Sequence, residues 1–193
     1  MKPYRSLKII KGCVLLGIII LTGCHSFKSQ ISLDKPPVRS ASKTAASDLS
    51  FEALKAVLYR HASQSFPGAK VLAAALLMLE QGVVVKGSCW GYVNAVYDKA
   101  GFPPDKRKTV FKSPEQGPYA DPSYLKPGDW VMYRNLPYGE IGHSAIFVEW
   151  IDFYKRSALT VEYAGLNRLE PGRLREADLT KVYQILRANA EGL

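Results

Sequence analysis

The chain has 193 residues, 47% of them hydrophobic, which suits one globular domain with an additional segment. Its formal net charge is +9, but four basic residues (Lys2, Arg5, Lys8 and Lys11) lie at the start. Without residues 1–23, 22 basic residues stand against 17 acidic ones, a net charge of +5, and they are scattered along the chain. So mild and dispersed an excess argues against nucleic acid as a partner.

The first 23 residues follow the three-part plan of a secretory signal. The basic start is followed by the apolar run 13–21, and the small residues Thr22 and Gly23 then precede Cys24. The run is shorter than the roughly 17–25 apolar residues that span a bilayer. The string LTGC resembles the lipobox of bacterial lipoproteins, which implies that Cys24 is acylated and becomes the new N-terminus. The alternatives are an uncleaved anchor, or an ordinary signal in which Cys24 is incidental.

The lipoprotein hypothesis has two consequences for the mature chain. We expect it to be exported and anchored in a bacterial envelope through its lipid, and His25 after the acylated residue favours an outer membrane where the organism has two. Acylation of Cys24 would also leave Cys89 as the only free thiol, so no internal disulfide can form. A lone thiol in an oxidising compartment is either buried and inert or reactive.

Residues 24–47 are rich in Ser, Lys, Pro and Ala, which predicts a flexible tether. Residues 48–85 then show helical periodicity and form an N-terminal helical segment. Its first helix is predicted to begin after Ser50 as N-cap. A second helix is expected over 69–81, with Gly82 as the residue that ends it.

Residues 86–193 form the predicted catalytic domain. The run CWGYVNAVYDKA from Cys89 predicts a helix, and the six prolines within residues 102–127 predict a loop. Strand-like runs follow at 129–133, 143–153 and 159–163, with a further candidate at 182–186. A helix followed by neighbouring strands indicates an α+β fold, in which the helix packs on an antiparallel sheet.

Cys89 and His143 form a candidate nucleophile and base. Cys89 lies at the start of its helix, where free amide groups and the helix dipole lower a thiol pKa and could hold an oxyanion. His143 opens a strand in the run GHSAIFVEW and could take the thiol proton and return it to a leaving amine. The other two histidines, His25 and His61, lie in the tether and the first helix.

Glu162 is the candidate third member of this site. It lies in the apolar run LTVEYAG on the strand that follows His143. A carboxylate among apolar neighbours is explained if it accepts the imidazole N–H, although a structural ion pair would explain it equally well. No motif predicts a cofactor or a metal.

These motifs resemble the NlpC and CHAP families, papain-like cysteine peptidases and amidases of bacterial cell walls. The resemblance covers roughly residues 86–165 and is carried by CWGYV at Cys89, by LKPGD at 125–129 and by Gly142-His143. GSCW also matches the local papain signature, but His143 follows Cys89 by only 54 residues, whereas papain's histidine follows by about 130–150. The compact bacterial families therefore match better.

The resemblance implies that Cys89 is the nucleophile and His143 the base of a peptidoglycan hydrolase. The position that commonly supplies the third residue in NlpC domains holds Lys155, which cannot serve. CHAP domains carry a glutamate further along the chain, and this resemblance implies Glu162 as the third residue, with Asn167 as the alternative. The expected partners are therefore peptidoglycan and, through the lipid, a membrane. The competing functions are a silent binding module with the same fold, and a thiol amidase or acyltransferase on another envelope substrate.

Overall fold

The computed structural model describes residues 43–164 and 169–190. The predicted signal peptide, Cys24, most of the predicted tether and Asn167 therefore lie outside the described residues. The helices are α1 (Lys43–Ala62), α2 (Pro67–Glu80) and α3 (Cys89–Lys99), and the strands are β1 (Arg107–Lys112), β2 (Trp130–Asn135), β3 (Ile141–Asp152), β4 (Ser157–Glu162), β5 (Arg173–Asp178) and β6 (Val182–Ala188). None of the helices within the described ranges is long and apolar enough to cross a membrane.

The first two helices begin earlier than the sequence pattern predicts. α1 begins at Lys43, inside the stretch predicted as a tether, so Ser50 is not its N-cap. Neither Gly nor Pro interrupts residues 43–50, and the Lys, Ala and Leu residues there favour a helix. α2 begins at Pro67, because proline at the first helical position loses no hydrogen bond and presets the backbone angle.

The six strands form one antiparallel sheet in the order β1-β6-β2-β3-β4-β5. The predicted α+β class, helices on an antiparallel sheet, is confirmed. β1 lies within residues 102–127, so the prediction of a continuous loop there is wrong, and β5 was not predicted. Both are edge strands, whose runs RKTVFK and RLREAD are rich in charged residues because an edge is only partly covered.

Alternating residues of the central strands face two hydrophobic clusters. On one face, Trp130, Ile146 and Val161 pack with the helices through residues such as Val93 and Val96. On the other face, the second cluster contains Val131, Tyr133, Ala145, Phe147 and Leu125. The period of two in β2 and β3 therefore assigns each side chain to one face.

A tight junction joins α2, α3 and the start of β2. A Cβ atom at Gly128, which has φ +88°, would lie 2.4 Å from Gly68, so neither backbone leaves room for a side chain there. The Tyr97 hydroxyl of α3 donates to the Gly128 carbonyl at 2.7 Å and accepts from the Trp130 amide at 3.0 Å. Buried Asp129 accepts from Arg187 and from the Lys126 amide. The Pro-Gly-Asp turn thereby fixes α3 against the sheet.

Candidate active site

Cys89 is the first residue of α3 and lies against the beginning of β3. Ser88 occupies the N-cap position, but its side chain does not cap the helix. The backbone amides of Trp90 and Ser144 instead favour the ionised form of the Cys89 thiol. Burial raises the pKa of the thiol, but the hydrogen bond with His143, the charge of His143 and these two amides outweigh it, so the pKa lies below its ordinary value. The surroundings of Cys89 thus favour ionisation of its thiol.

His143 lies near the start of β3, directly opposite Tyr133 of β2. Its ring packs edge-on against the Tyr133 ring, with centroids 5.6 Å apart, and its side chain is mostly buried. Burial alone would lower the pKa of His143. The hydrogen bond with Cys89 and the interaction with Glu162 outweigh burial and raise this pKa to about 9. The downward shift of the Cys89 pKa and the upward shift of the His143 pKa both favour the thiolate–imidazolium form of the pair.

Glu162 ends β4 and is only 2% exposed. It pairs with Ala145, which lies two residues after His143 and therefore on the same face of β3. This register brings Oε2 of Glu162 to 3.7 Å from Nε2 of His143, the distance of an ion pair and too long for a direct hydrogen bond. Burial raises the pKa of Glu162, but His143, Tyr133 and Arg175 outweigh this and leave it below its ordinary value.

Tyr133, Thr160 and Arg175 also surround the Glu162 carboxylate, and the sequence alone did not indicate them. The Tyr133 hydroxyl donates to Oε1 at 2.7 Å, and the Thr160 hydroxyl lies 3.4 Å from the same oxygen. Nε of Arg175 lies 4.0 Å from Oε2. Thr160 lies on β4 with Glu162, Arg175 lies on the neighbouring strand β5, and Tyr133 lies on β2, on the other side of β3. Their proximity to Glu162 depends on the register of the strands, which no sequence motif encodes.

Trp90 follows Cys89 in the chain, and Gly142 precedes His143. Trp90, the residue after Cys89, is 52% exposed, and its ring packs 5.4 Å from that of Trp130. A Cβ at Gly142 would lie 3.4 Å from the Tyr183 hydroxyl and 3.8 Å from Glu115, whose carboxylate pairs with Arg134 at 2.9 Å. A Cβ at Gly142 would therefore lie at ordinary contact distance from these groups.

The remaining candidates from the sequence lie elsewhere. His61 pairs through Nε2 with Glu149 at 2.7 Å, so it joins α1 to β3 and takes no part in the site. Lys155 forms an exposed pair with Asp152 in the β3–β4 turn. Within the described ranges no cluster of His, Cys, Asp or Glu could hold a metal ion. The site thus consists of Cys89, His143 and Glu162 with their neighbours.

No protein-family model, curated protein or solved structure matches this chain. The chemistry must therefore be inferred from the site itself. A thiol with a lowered pKa at a helix start, an imidazole beside it and a buried carboxylate behind the imidazole are the parts that nucleophilic attack on a carbonyl requires.

Proposed function

We propose that this protein is a cysteine peptidase or amidase with a papain-like fold of the NlpC or CHAP kind. We further propose that it hydrolyses an amide bond in the peptide stems of peptidoglycan while anchored by a lipid on Cys24 in the bacterial envelope. The observation that carries the enzymatic part is the arrangement of Cys89, His143 and Glu162. A structural cysteine has no need of a buried imidazolium held by a buried carboxylate.

The proposed reaction begins with attack of the Cys89 thiolate on the amide carbonyl. The oxygen gains the electron pair of the C=O bond, and free amides at the start of α3 offer it hydrogen bonds. His143 then gives its proton to the amide nitrogen as the carbon–nitrogen bond breaks. An amine leaves and a thioester forms on Cys89. Neutral His143 next takes a proton from water, whose oxygen attacks the thioester, and thiolate and carboxylic acid are released.

Glu162 acts through His143 in this scheme. The carboxylate stabilises the imidazolium and orients the ring. Tyr133 in turn holds the carboxylate, because its hydroxyl donates to the oxygen that does not face His143. Glu162 is thus a positioning residue, and Tyr133 supports it one step further from the reacting atoms.

Three further features support the family and the substrate. The helix that begins with Cys89 packs on β3, which begins with the Gly-His run, and the Pro-Gly-Asp turn leads into the neighbouring strand. The lipobox-like string before Cys24 favours an envelope location. The net charge of +5 without residues 1–23 is compatible with an anionic envelope polymer.

Digestion of purified peptidoglycan tests the proposal. We expect wild type to release fragments with new amine and carboxyl ends, which mass spectrometry identifies. Cys89→Ala should release none, and Cys89→Ser almost none, because an alcohol is far harder to deprotonate than a thiol. Ser88→Ala is the matched control, since that side chain does not cap the helix, and it should retain activity.

Two results would contradict the proposal. Normal digestion by Cys89→Ala would remove Cys89 as the nucleophile. Inert wild-type protein that still binds peptidoglycan would favour the silent binding module. Release of fragments also identifies which bond is cut, and so distinguishes a peptidase from an amidase.

A further inference from the structure

A cavity of about 110 Å³ adjoins the site on the side of β5. Its lining includes His143, Glu162, Tyr138, Arg173 and Arg175. Its volume is well above the roughly 10–15 Å³ that one water needs, so it has room for a small polar group. It opens to solvent beside the imidazole that would protonate a leaving amine.

Two arginines face this cavity because of the strand register. Arg173 pairs with Glu162 and Arg175 pairs with Thr160, so both lie on the face of β5 that matches Glu162. Arg175 lies 5.0 Å from the Tyr138 ring and 4.0 Å from Glu162. Nε of Arg173 is buried and makes no hydrogen bond within the described residues. A buried guanidinium N–H without an acceptor is costly, and an incoming acceptor would satisfy it.

The charges around the cavity favour an anion. Glu162 is the carboxylate in its lining, and Tyr133 and His143 already hold its two oxygens. Glu170 lies 3.7 Å from Arg173 but is half-exposed and does not line the cavity. Among the residues that the structure describes, two guanidiniums and an imidazolium therefore face one carboxylate. The planar donor fork of arginine matches a carboxylate in geometry.

We propose that this cavity is a subsite for a free carboxylate of the substrate, on the leaving-amine side of the scissile bond. We assign the cavity to the leaving-amine side of the scissile bond because His143 lines the cavity and, in the proposed reaction, donates the proton to the departing nitrogen. The inference rests on the proposed function and narrows its substrate class. The enzyme would prefer peptides with a free carboxylate near the scissile amide over the same peptides with that carboxylate amidated.

Binding to the inactive variant Cys89→Ala tests the subsite without turnover. The probes are three forms of the stem peptide L-Ala-γ-D-Glu-L-Lys-D-Ala: the free acid, the C-terminal amide, and the form with the glutamate α-carboxyl amidated. We expect one of the amidations to weaken binding about tenfold or more in calorimetry, as loss of a charged hydrogen bond implies. Equal affinity for all three forms would overturn the inference.

Substitution of Arg173 assigns the preference to the cavity. In Cys89→Ala/Arg173→Gln the free acid should bind no better than its amides, and Arg173→Lys should restore part of the preference. Lys155→Gln, an exposed charge at the far end of β3, is the matched control and should leave the preference intact. If Arg173 had only a structural role, Arg173→Gln would weaken all three forms equally, and the preference would survive.

The two proposals fail separately. An Arg173-dependent preference in binding, combined with no hydrolysis by wild type, would overturn the proposed function and leave the carboxylate site in place. Hydrolysis of acid and amide forms with equal kcat/KM, unchanged in Arg173→Gln, would overturn the subsite and leave the enzyme.

Discussion

The Tyr133 hydroxyl donates a 2.7 Å hydrogen bond to Oε1 of Glu162, across the strand that carries His143. Tyr133 is 1% exposed and Glu162 is 2% exposed, so the bond lies in a medium of low polarity, where it is stronger than in water. Neighbouring strands on both sides of β3 thus hold the carboxylate in place for the imidazole. The proposed activity should depend on this bond although Tyr133 touches no reacting atom.

Tyr133→Phe tests that dependence. Loss of the donor should raise the pKa of Glu162, weaken its hold on the imidazolium and lower the pKa of His143 from about 9. We expect kcat to fall several-fold and the alkaline limb of the pH–rate profile to move to lower pH. The control is Tyr163→Phe, which removes a bond of equal length to the Val85 carbonyl. An unchanged alkaline limb in Tyr133→Phe would show that Tyr133 only packs.

Glu162→Gln tests the third member of the site. The neutral amide should stabilise the imidazolium less well, so kcat should fall by about tenfold or more while the fold is retained. Circular dichroism and kcat/KM, measured on the same preparation, separate the two effects. Loss in Asn167→Ala with none in Glu162→Gln would move the role to Asn167. Loss of folding in Glu162→Gln would mark Glu162 as a structural ion pair.

The pH dependence of alkylation tests the thiolate. The lowered pKa of Cys89 raises the thiolate fraction near neutral pH above that of an ordinary thiol, and this thiolate is lost as the pH falls through the lowered value. Iodoacetamide should therefore react quickly at pH 6.5, and His143→Ala should slow this reaction at least tenfold. Hydrolysis should also decline as the pH rises through about 9, because His143 then loses the proton that the leaving amine needs. A Cys89 thiol that resists iodoacetamide in the native protein would contradict the proposed ionisation of Cys89.

Asp129→Ala tests the junction at the start of β2. The carboxylate is 1% exposed and accepts two 2.7 Å hydrogen bonds from Arg187. Its removal should lower the free energy of unfolding by about 3 kcal/mol, because Arg187 would lose its carboxylate partner and retain only a bond to the Tyr124 carbonyl among those described. Glu115→Ala, which breaks the exposed pair with Arg134, should change it by less than about 1 kcal/mol. Urea unfolding measures both, and equal effects would contradict the structural role of Asp129.

Cys24→Ala tests the lipid anchor. The acceptor of the acyl group would be lost, so we expect an uncleaved or unlipidated precursor that metabolic labelling with a fatty acid does not mark. Detergent partitioning should move the protein from the membrane fraction. Processing of Cys24→Ala to the same size, with equal membrane association, would defeat the lipoprotein hypothesis.

The sequence by itself determined the central elements. The helix beginning at Cys89 was predictable because its buried residues recur at helical spacing. The strand around His143 was predictable because it contains a short, mostly apolar run that is buried on both faces. The sequence pattern did not predict β1 and β5, which are both edge strands. Edge strands carry charged residues and bury only part of their length, so their sequences resemble loops.

Tertiary structure alone decided what surrounds the thiol and the imidazole. The sequence left Glu162 open between a site and a structural pair, and it gave no sign of Tyr133 or of the arginines of β5. The strand register sets the distance between Glu162 and His143, because a shift of one residue would turn Glu162 to the opposite face, away from His143. Register depends on turns, bulges and packing between strands distant in the chain. For that reason a candidate nucleophile and base could be proposed from local motifs, whereas the contacts around them could not.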